Sequence, residues 1–270
     1  MNAYSIFQQT DRLRVSDGEI VPILTGCEPD RRLLVIVCPQ LGDFDSLEYA
    51  WWLQRDRQQL EAENLVVRMV GIGDRSSGQK FCDFTGFPAA WLFVDRDAKL
   101  HSQLDLYPGL ALKLPGFSAA QNAWVNLILM CAGIGSPGTL REVFRGYKGD
   151  RSAPQLIQAG EIVKATPLPP IEGSFFNVAG GSGFQRPFEL ATLRLRNMVE
   201  VIGNWGTYVP DPTYLTQRGG SYLFDPQGGL AYAHRDRGIL GFAANMSQPL
   251  SFLAHPSHHK IAIGCENTPN

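Results

Sequence analysis

The 270-residue chain has little of what would mark it for a bilayer, a nucleic acid or an oxidising compartment. Its apolar runs, Leu33–Cys38 among them, have a strand's length, well short of the roughly 20 residues that span a membrane. The first residues, MNAYSIFQQTDRLRVSDGE, hold no apolar stretch of signal-peptide type. Five cysteines (Cys27, Cys38, Cys82, Cys131 and Cys265) are an odd, scattered set and do not make a disulfide scaffold for a chain this long. Lys+Arg 24 against Asp+Glu 26 leaves a formal charge of -2, which gives no global attraction to nucleic acid. These absences predict a cytoplasmic protein of a reducing compartment, without a transmembrane segment or a nucleic-acid partner. Peripheral association with a membrane complex is compatible with them.

What is present is material for a core. Apolar residues are 44% and charged residues 19%, which excludes a disordered polyelectrolyte, while Gly 28 and Pro 18 predict abundant loop. Leu33-Leu34-Val35-Ile36-Val37-Cys38 is a β-branched run fit for a central strand, ended by Pro39. Asp45-Ser46-Leu47-Glu48 has capping-box spacing and predicts a helix continuing to about Glu63. Strands are expected at Leu65–Ile72 and Ala89–Val94, with a short helix between Gly73 and Gly86 and a solvated turn at Asp95-Arg96-Asp97. This alternation argues for a three-layer α/β unit around a mixed sheet.

Further on, Ala120, Ala123, Trp124, Leu127, Ile128 and Cys131 recur at helical spacing and predict a core-facing stripe. Thr139-Leu140-Arg141-Glu142 caps a shorter helix, and 149–187 reads as a long Pro/Gly loop. Phe188, Ala191, Leu195, Met198, Val199 and Ile202 mark another helix face. Two strands flanking Asp225-Pro226-Gln227-Gly228-Gly229 form a hairpin, and a last helix is expected over roughly Gly241–Ala254.

Three stretches carry a family likeness: VIVCPQLGDFDSLE, VGIGDRSSGQKFCDFTGFPAAWLFVDRDAKLHSQLDL and LTQRGGSYLFDPQGGLAYAHRD. On these the chain resembles the peroxiredoxin-like AhpC/TSA antioxidant-enzyme branch of the thioredoxin-like superfamily over about 30–254. The resemblance implies one thioredoxin-like domain over 1–270, with a helical and loop insertion at about 108–216. That insertion is similar to versions found in cyanobacteria and chloroplasts. Active members carry a cysteine, often Gly-Cys-x-x-Cys, at the start of the helix after the first central strand. Here the matching residues are Gly42-Asp43-Phe44-Asp45-Ser46, so Asp43 and Ser46 stand where the two cysteines would be.

A helix N-terminus that stabilises a thiolate also favours a carboxylate, but a carboxylate cannot attack a peroxide as sulfur does. Asp43, Asp45 and Ser46 therefore read first as helix caps. The chemistry left open is a thiol reaction at Cys82, or less readily Cys38, or another reaction using Asp43 and Arg218. The expected topology brings the Gln217-Arg218-Gly219-Gly220 turn to this helix start, making Arg218 an electrostatic partner of Asp43, with Arg194 as its surface reference. Cys131 belongs to the apolar stripe, and His101 and His234 read as single strand-edge histidines.

No cofactor is indicated: Gly71-Ile72-Gly73 lacks a dinucleotide fingerprint, and Gly180-Gly181-Ser182-Gly183, although able to form an anion nest, lacks the lysine of a P-loop. His255, His258 and His259 lack the further donors of a metal site. For a protein partner, one of the adjacent Trp51 and Trp52, assigned to Trp52, and Phe175 with Phe176 on the long loop are the candidate docking residues. The expectation is a catalytically degenerate, peroxiredoxin-like binding, assembly or regulatory module.

Overall fold

In the computed structural model, which describes residues 2–28 and 30–254, the predicted β-branched run forms the middle of the sheet. The strands are β1 (Asp11–Arg14), β2 (Ile20–Pro22), β3 (Arg32–Gln40), β4 (Leu65–Ile72), β5 (Leu92–Asp95), β6 (Ile162–Val163), β7 (Ile171–Glu172), β8 (Gly220–Phe224) and β9 (Leu230–Arg235). The helices are α1 (Ala3–Gln8), α2 (Phe44–Arg55), α3 (Arg57–Ala62), α4 (Arg75–Thr85), α5 (Lys99–Gln103), α6 (Ala119–Cys131), α7 (Thr139–Lys148), α8 (Glu189–Gly203) and α9 (Trp205–Tyr208). Seven strands join in the order β2-β1-β5-β4-β3-β8-β9, with β3, β4 and β5 parallel and their flanking neighbours antiparallel.

Side chains alternate along β3 with the period of two that a strand requires. Leu34, Ile36 and Cys38 enter the core under α2, α4 and α8, while Leu33, Val35 and Val37 face α1 and α5. Helices thus cover both faces of a mixed sheet, the three-layer arrangement of a thioredoxin-like fold.

Pro39 does not end β3. The strand continues to Gln40 because its β8 pairing stops at Val37 and its β4 register shifts between Cys38 and Gln40, so no ladder bond needs the missing N–H. The helix expected to reach Glu63 breaks at Asp56 into α2 and α3. Asp95, expected in a solvated turn, is buried; it pairs with Arg12 at 3.2 Å and accepts from the Leu100 amide at 3.0 Å.

The larger departures lie between α5 and β8. Residues 149–187 are not a structureless loop: they hold the β6–β7 hairpin and a 3-10 helix at Gly173–Ala179. Helix α6 buries Ala123, Asn126 and Met130 and turns Trp124, Ile128 and Cys131 outward, so the expected core stripe is mostly surface. In α8 the buried set is Leu190, Leu193 and Val201 with polar neighbours, whereas Phe188 and Ile202 of the predicted face are exposed. The closing helix is absent apart from one 3-10 turn at Ser251–Leu253. Pro249 interrupts that segment, although Phe242, Met246, Leu250 and Phe252 still pack on the sheet. Among the described residues no helix is long and apolar enough to cross a membrane.

Candidate functional site

Helix α2 starts where β3 leaves the sheet. Gly42 allows this, since a Cβ there would come within 2.8 Å of the Tyr208 Cβ. Asp43 is the N-cap and accepts from the Asp45 amide at 2.9 Å. Asp45, grouped with the caps from sequence, is not one. It is fully buried, and its carboxylate accepts from the Leu240 amide at 2.8 and 3.0 Å. Ser46 donates to the Gln40 carbonyl at 2.8 Å. Glu48, the fourth residue of the expected capping box, instead takes Arg194 in a two-pronged contact at 2.7 and 3.1 Å. Arg194 is therefore no surface reference for anything.

Arg218 enters from the turn before β8 and is fully buried. Its Nη2 lies 2.5 Å from Asp43 and its Nη1 lies 3.2 Å from Asp45, and Nε donates to the Thr216 carbonyl at 3.2 Å. Its position was readable in the sequence from the expected topology. The second carboxylate, Asp45, was missed, because its spacing from Glu48 looks like a cap. A third carboxylate, Asp236 after β9, is also buried and contributes to the same field. Three carboxylates thus share one guanidinium, and the cost falls on the protonation state. Burial, then Asp43, push the Asp45 carboxyl well above the usual range despite Arg218.

Burial pushes the Asp236 carboxyl up to about 6, against the pull of His234 and Arg218. An unfolded aspartate titrates near ~4, so between these values the folded protein keeps a proton that the unfolded chain has released. The contribution of Asp236 to stability is greatest in acid and is lost as pH rises through about 6. Asp236→Asn is expected to remove that slope and to raise stability at neutral pH by on the order of 1–3 kcal/mol. Urea midpoints in mild acid and at neutral pH check this, and a variant no more stable at neutral pH would refute it.

Cys38, beside Ser46, and Cys131, near Asp43, border this cluster, whereas Cys82 lies apart on α4. Cys38 is buried in β3 and its thiol is pushed far up by burial. Its carbonyl takes the Nε2 of His101 at 2.7 Å; His101 is not at a strand edge but buried in α5, with burial lowering it to about 4. Cys82 is buried on α4, where burial and Asp83 push it up to about 12. Cys131 is exposed at the end of α6, and burial of its sulfur and the nearby Asp43 push its thiol up. A peroxidatic thiol needs the opposite shift.

Beside the helix start opens an apolar groove of about 1140 Å³ between α7, α8 and residues 168–176. Its floor includes Phe44, the first residue of α2, and Leu240, whose amide is held by Asp45. Ala191, Leu195 and Met198 line it, which explains why α8 is apolar on two faces. The cation on its wall, Arg194, is already taken by Glu48. Of the residues singled out for docking, Phe175 is 65% exposed on the rim and Phe176 is buried beneath it. Trp52 is the buried member of its pair, 4% exposed, and Trp51 is the half-buried one, which reverses the assignment.

The glycine run is no free anion nest. The Gly180 and Gly181 amides go to the Asn177 carbonyl and the Gly183 amide to Gln155. Among the described residues no group of His, Cys, Asp and Glu could hold a metal; His255, His258, His259 and Cys265 lie outside them.

A mixed sheet covered on both faces, with a helix start facing a late antiparallel hairpin, defines a thioredoxin-like α/β protein. The model of the AhpC/TSA antioxidant enzyme family matches residues 52–238, and the chain belongs to that family. The match begins inside α2, past Asp43 and Ser46, so membership leaves the chemistry of the helix start to the residues themselves. No curated protein matches the chain.

Proposed function

We propose that the protein is a binding module of its family, not a thiol peroxidase, and that it holds a neutral apolar molecule in the groove beside α2. The observation that carries this reading is the groove itself. Its volume slightly exceeds the roughly 300–1,000 Å³ of small-molecule sites, and its walls are apolar side chains from several separate segments. Charge selects against an acidic ligand. Arg194 is bound by Glu48 at 2.7 Å and by the Glu142 carbonyl at 3.0 Å, so no cation on the wall is free for a carboxylate head group. The oxygen atoms at the start of α2 and the raised thiols of Cys82 and Cys38 support the non-peroxidatic half of the reading.

The test has two arms. The neutral dye N-phenyl-1-naphthylamine is expected to bind saturably, one per chain. Ala191→Trp, which fills the groove, should weaken it by about tenfold or more. Hydrogen peroxide with thioredoxin present should not be turned over. Unsaturable dye binding, or binding indifferent to Ala191→Trp, removes the ligand reading. Turnover abolished by Cys82→Ser would restore the thiol-redox enzyme.

A further inference from the structure

Helix α6 is built inside out. A surface helix normally buries its apolar stripe and shows its polar one. Here the amide side chains work inward, against the preceding loop. Asn126 exchanges two hydrogen bonds with the backbone of Leu112, at 3.1 and 2.9 Å. Asn122 accepts from the Leu114 amide at 2.8 Å and donates to the carbonyls of Phe117 and Ser118. The result is a loop and a helix locked together with Leu112, Leu114, Phe117, Trp124 and Ile128 outward, each 39–63% exposed. Trp124 is braced in that position by stacking on Trp205 at 4.7 Å.

Of 17 exposed large apolar side chains among the described residues, five lie in the 17 residues from Leu112 to Ile128, while Tyr147, Leu168, Phe175 and Phe188 line the groove instead. In the loop and helix over 106–131 the one charged residue is Lys113, and among the described residues it pairs with no carboxylate. A protein interface of useful size needs about one hydrogen bond per 100–200 Å², and the outward side chains of this face offer few donors or acceptors. An apolar loop and helix with an exposed tryptophan and an unpaired lysine, and no carboxylate of their own, complement the boundary of a bilayer bearing anionic head groups.

We infer that the α6 face, with Leu114 and Phe117 at its tip and Lys113 next to Leu114 in the chain, docks on an anionic lipid surface. The inference goes beyond the groove ligand and stands or falls separately from it. Cosedimentation of the full chain with phosphatidylcholine vesicles, with and without phosphatidylglycerol, tests it.

Binding is expected to be stronger with phosphatidylglycerol. Phe117→Asp and Leu114→Asp should each weaken it by about tenfold or more, and Lys113→Glu by about fivefold or more on the anionic vesicles. Ile20→Asp, still more exposed but on β2, is the control expected to bind as the parent does. All four positions are exposed, so thermal unfolding should stay close to that of the parent; a variant that fails this check is replaced by Phe117→Ser. No vesicle binding, binding unchanged in Phe117→Asp, or a Phe117-dependent dimer in place of vesicle binding would each overturn the inference.

Discussion

Arg218→Ala is expected to cost about 3–5 kcal/mol of stability, the range for removing one partner from a buried ion pair. The guanidinium is wholly out of solvent and serves Asp43, Asp45 and the Thr216 carbonyl together. Its loss leaves Asp45 and Asp236, both buried, with no arginine or lysine in contact among the described residues. Such carboxyls respond by holding protons, so the loss should be greater above neutral pH than in mild acid. Arg218→Lys should recover only part, because one ammonium cannot reproduce the fork that reaches two carboxylates. Arg57→Ala is the proper reference: its partner Glu61 is an exposed neighbour one turn along α3, a pair worth only ~0.5 kcal/mol. Urea unfolding followed by tryptophan fluorescence at two pH values checks the set. Equal losses for Arg218→Ala and Arg57→Ala would remove the cluster's structural role.

A second large effect is expected at Arg186. It is fully buried and ties three segments together, donating to the Ile157 carbonyl at 2.8 Å, to Glu189 at 2.7 Å and to Asn177. Glu189 in turn accepts from the amides of Ile157 and Arg186. This pair replaces regular secondary structure as the organiser of 149–187, a stretch whose hairpin has only two residues in each strand. Arg186→Ala should cost about 3–5 kcal/mol. It should also open 158–182 to proteases before the sheet unfolds, because the groove wall at 168–176 hangs from this anchor. A double replacement, Arg186→Leu with Glu189→Leu, should recover much of the loss by removing both charges at once. Cleavage no faster than in the parent would show that the segment holds itself in place.

The two arginines mark where the sequence was readable and where it was not. Strands β3 and β4 could be read because burial on both faces favours continuous β-branched runs, and β8 and β9 because the turn residues Asp225-Pro226-Gln227-Gly228-Gly229 separate them. Arg218 could be placed because topology, not side-chain chemistry, carries its turn to α2. Asp45 could not, since an aspartate three residues before a glutamate has the same spacing in a cap and in a buried ion cluster.

The stripe on α6 failed for another reason. Periodicity reports that one face is apolar but not that it turns inward, and only the amide hydrogen bonds of Asn122 and Asn126 settle that. Similarly, Phe188, Ala191, Leu195 and Met198 gave a true helix and the wrong neighbour, a groove in place of the core. Trp51 and Trp52 were separable in kind, one in and one out, but only packing tells which.

The ends of the sheet have a consequence for how copies or partners can meet this protein. At one end β2 is three residues long and finishes on Pro22, which has no amide hydrogen to offer an incoming strand. At the other, β9 is paired with a slipped register near Phe224, and its last residues are His234 and Arg235. Short, proline-tipped, kinked or charged margins are poor templates for strand addition. Association therefore falls to the helical side of the molecule, and the ladder of backbone bonds stays a private one.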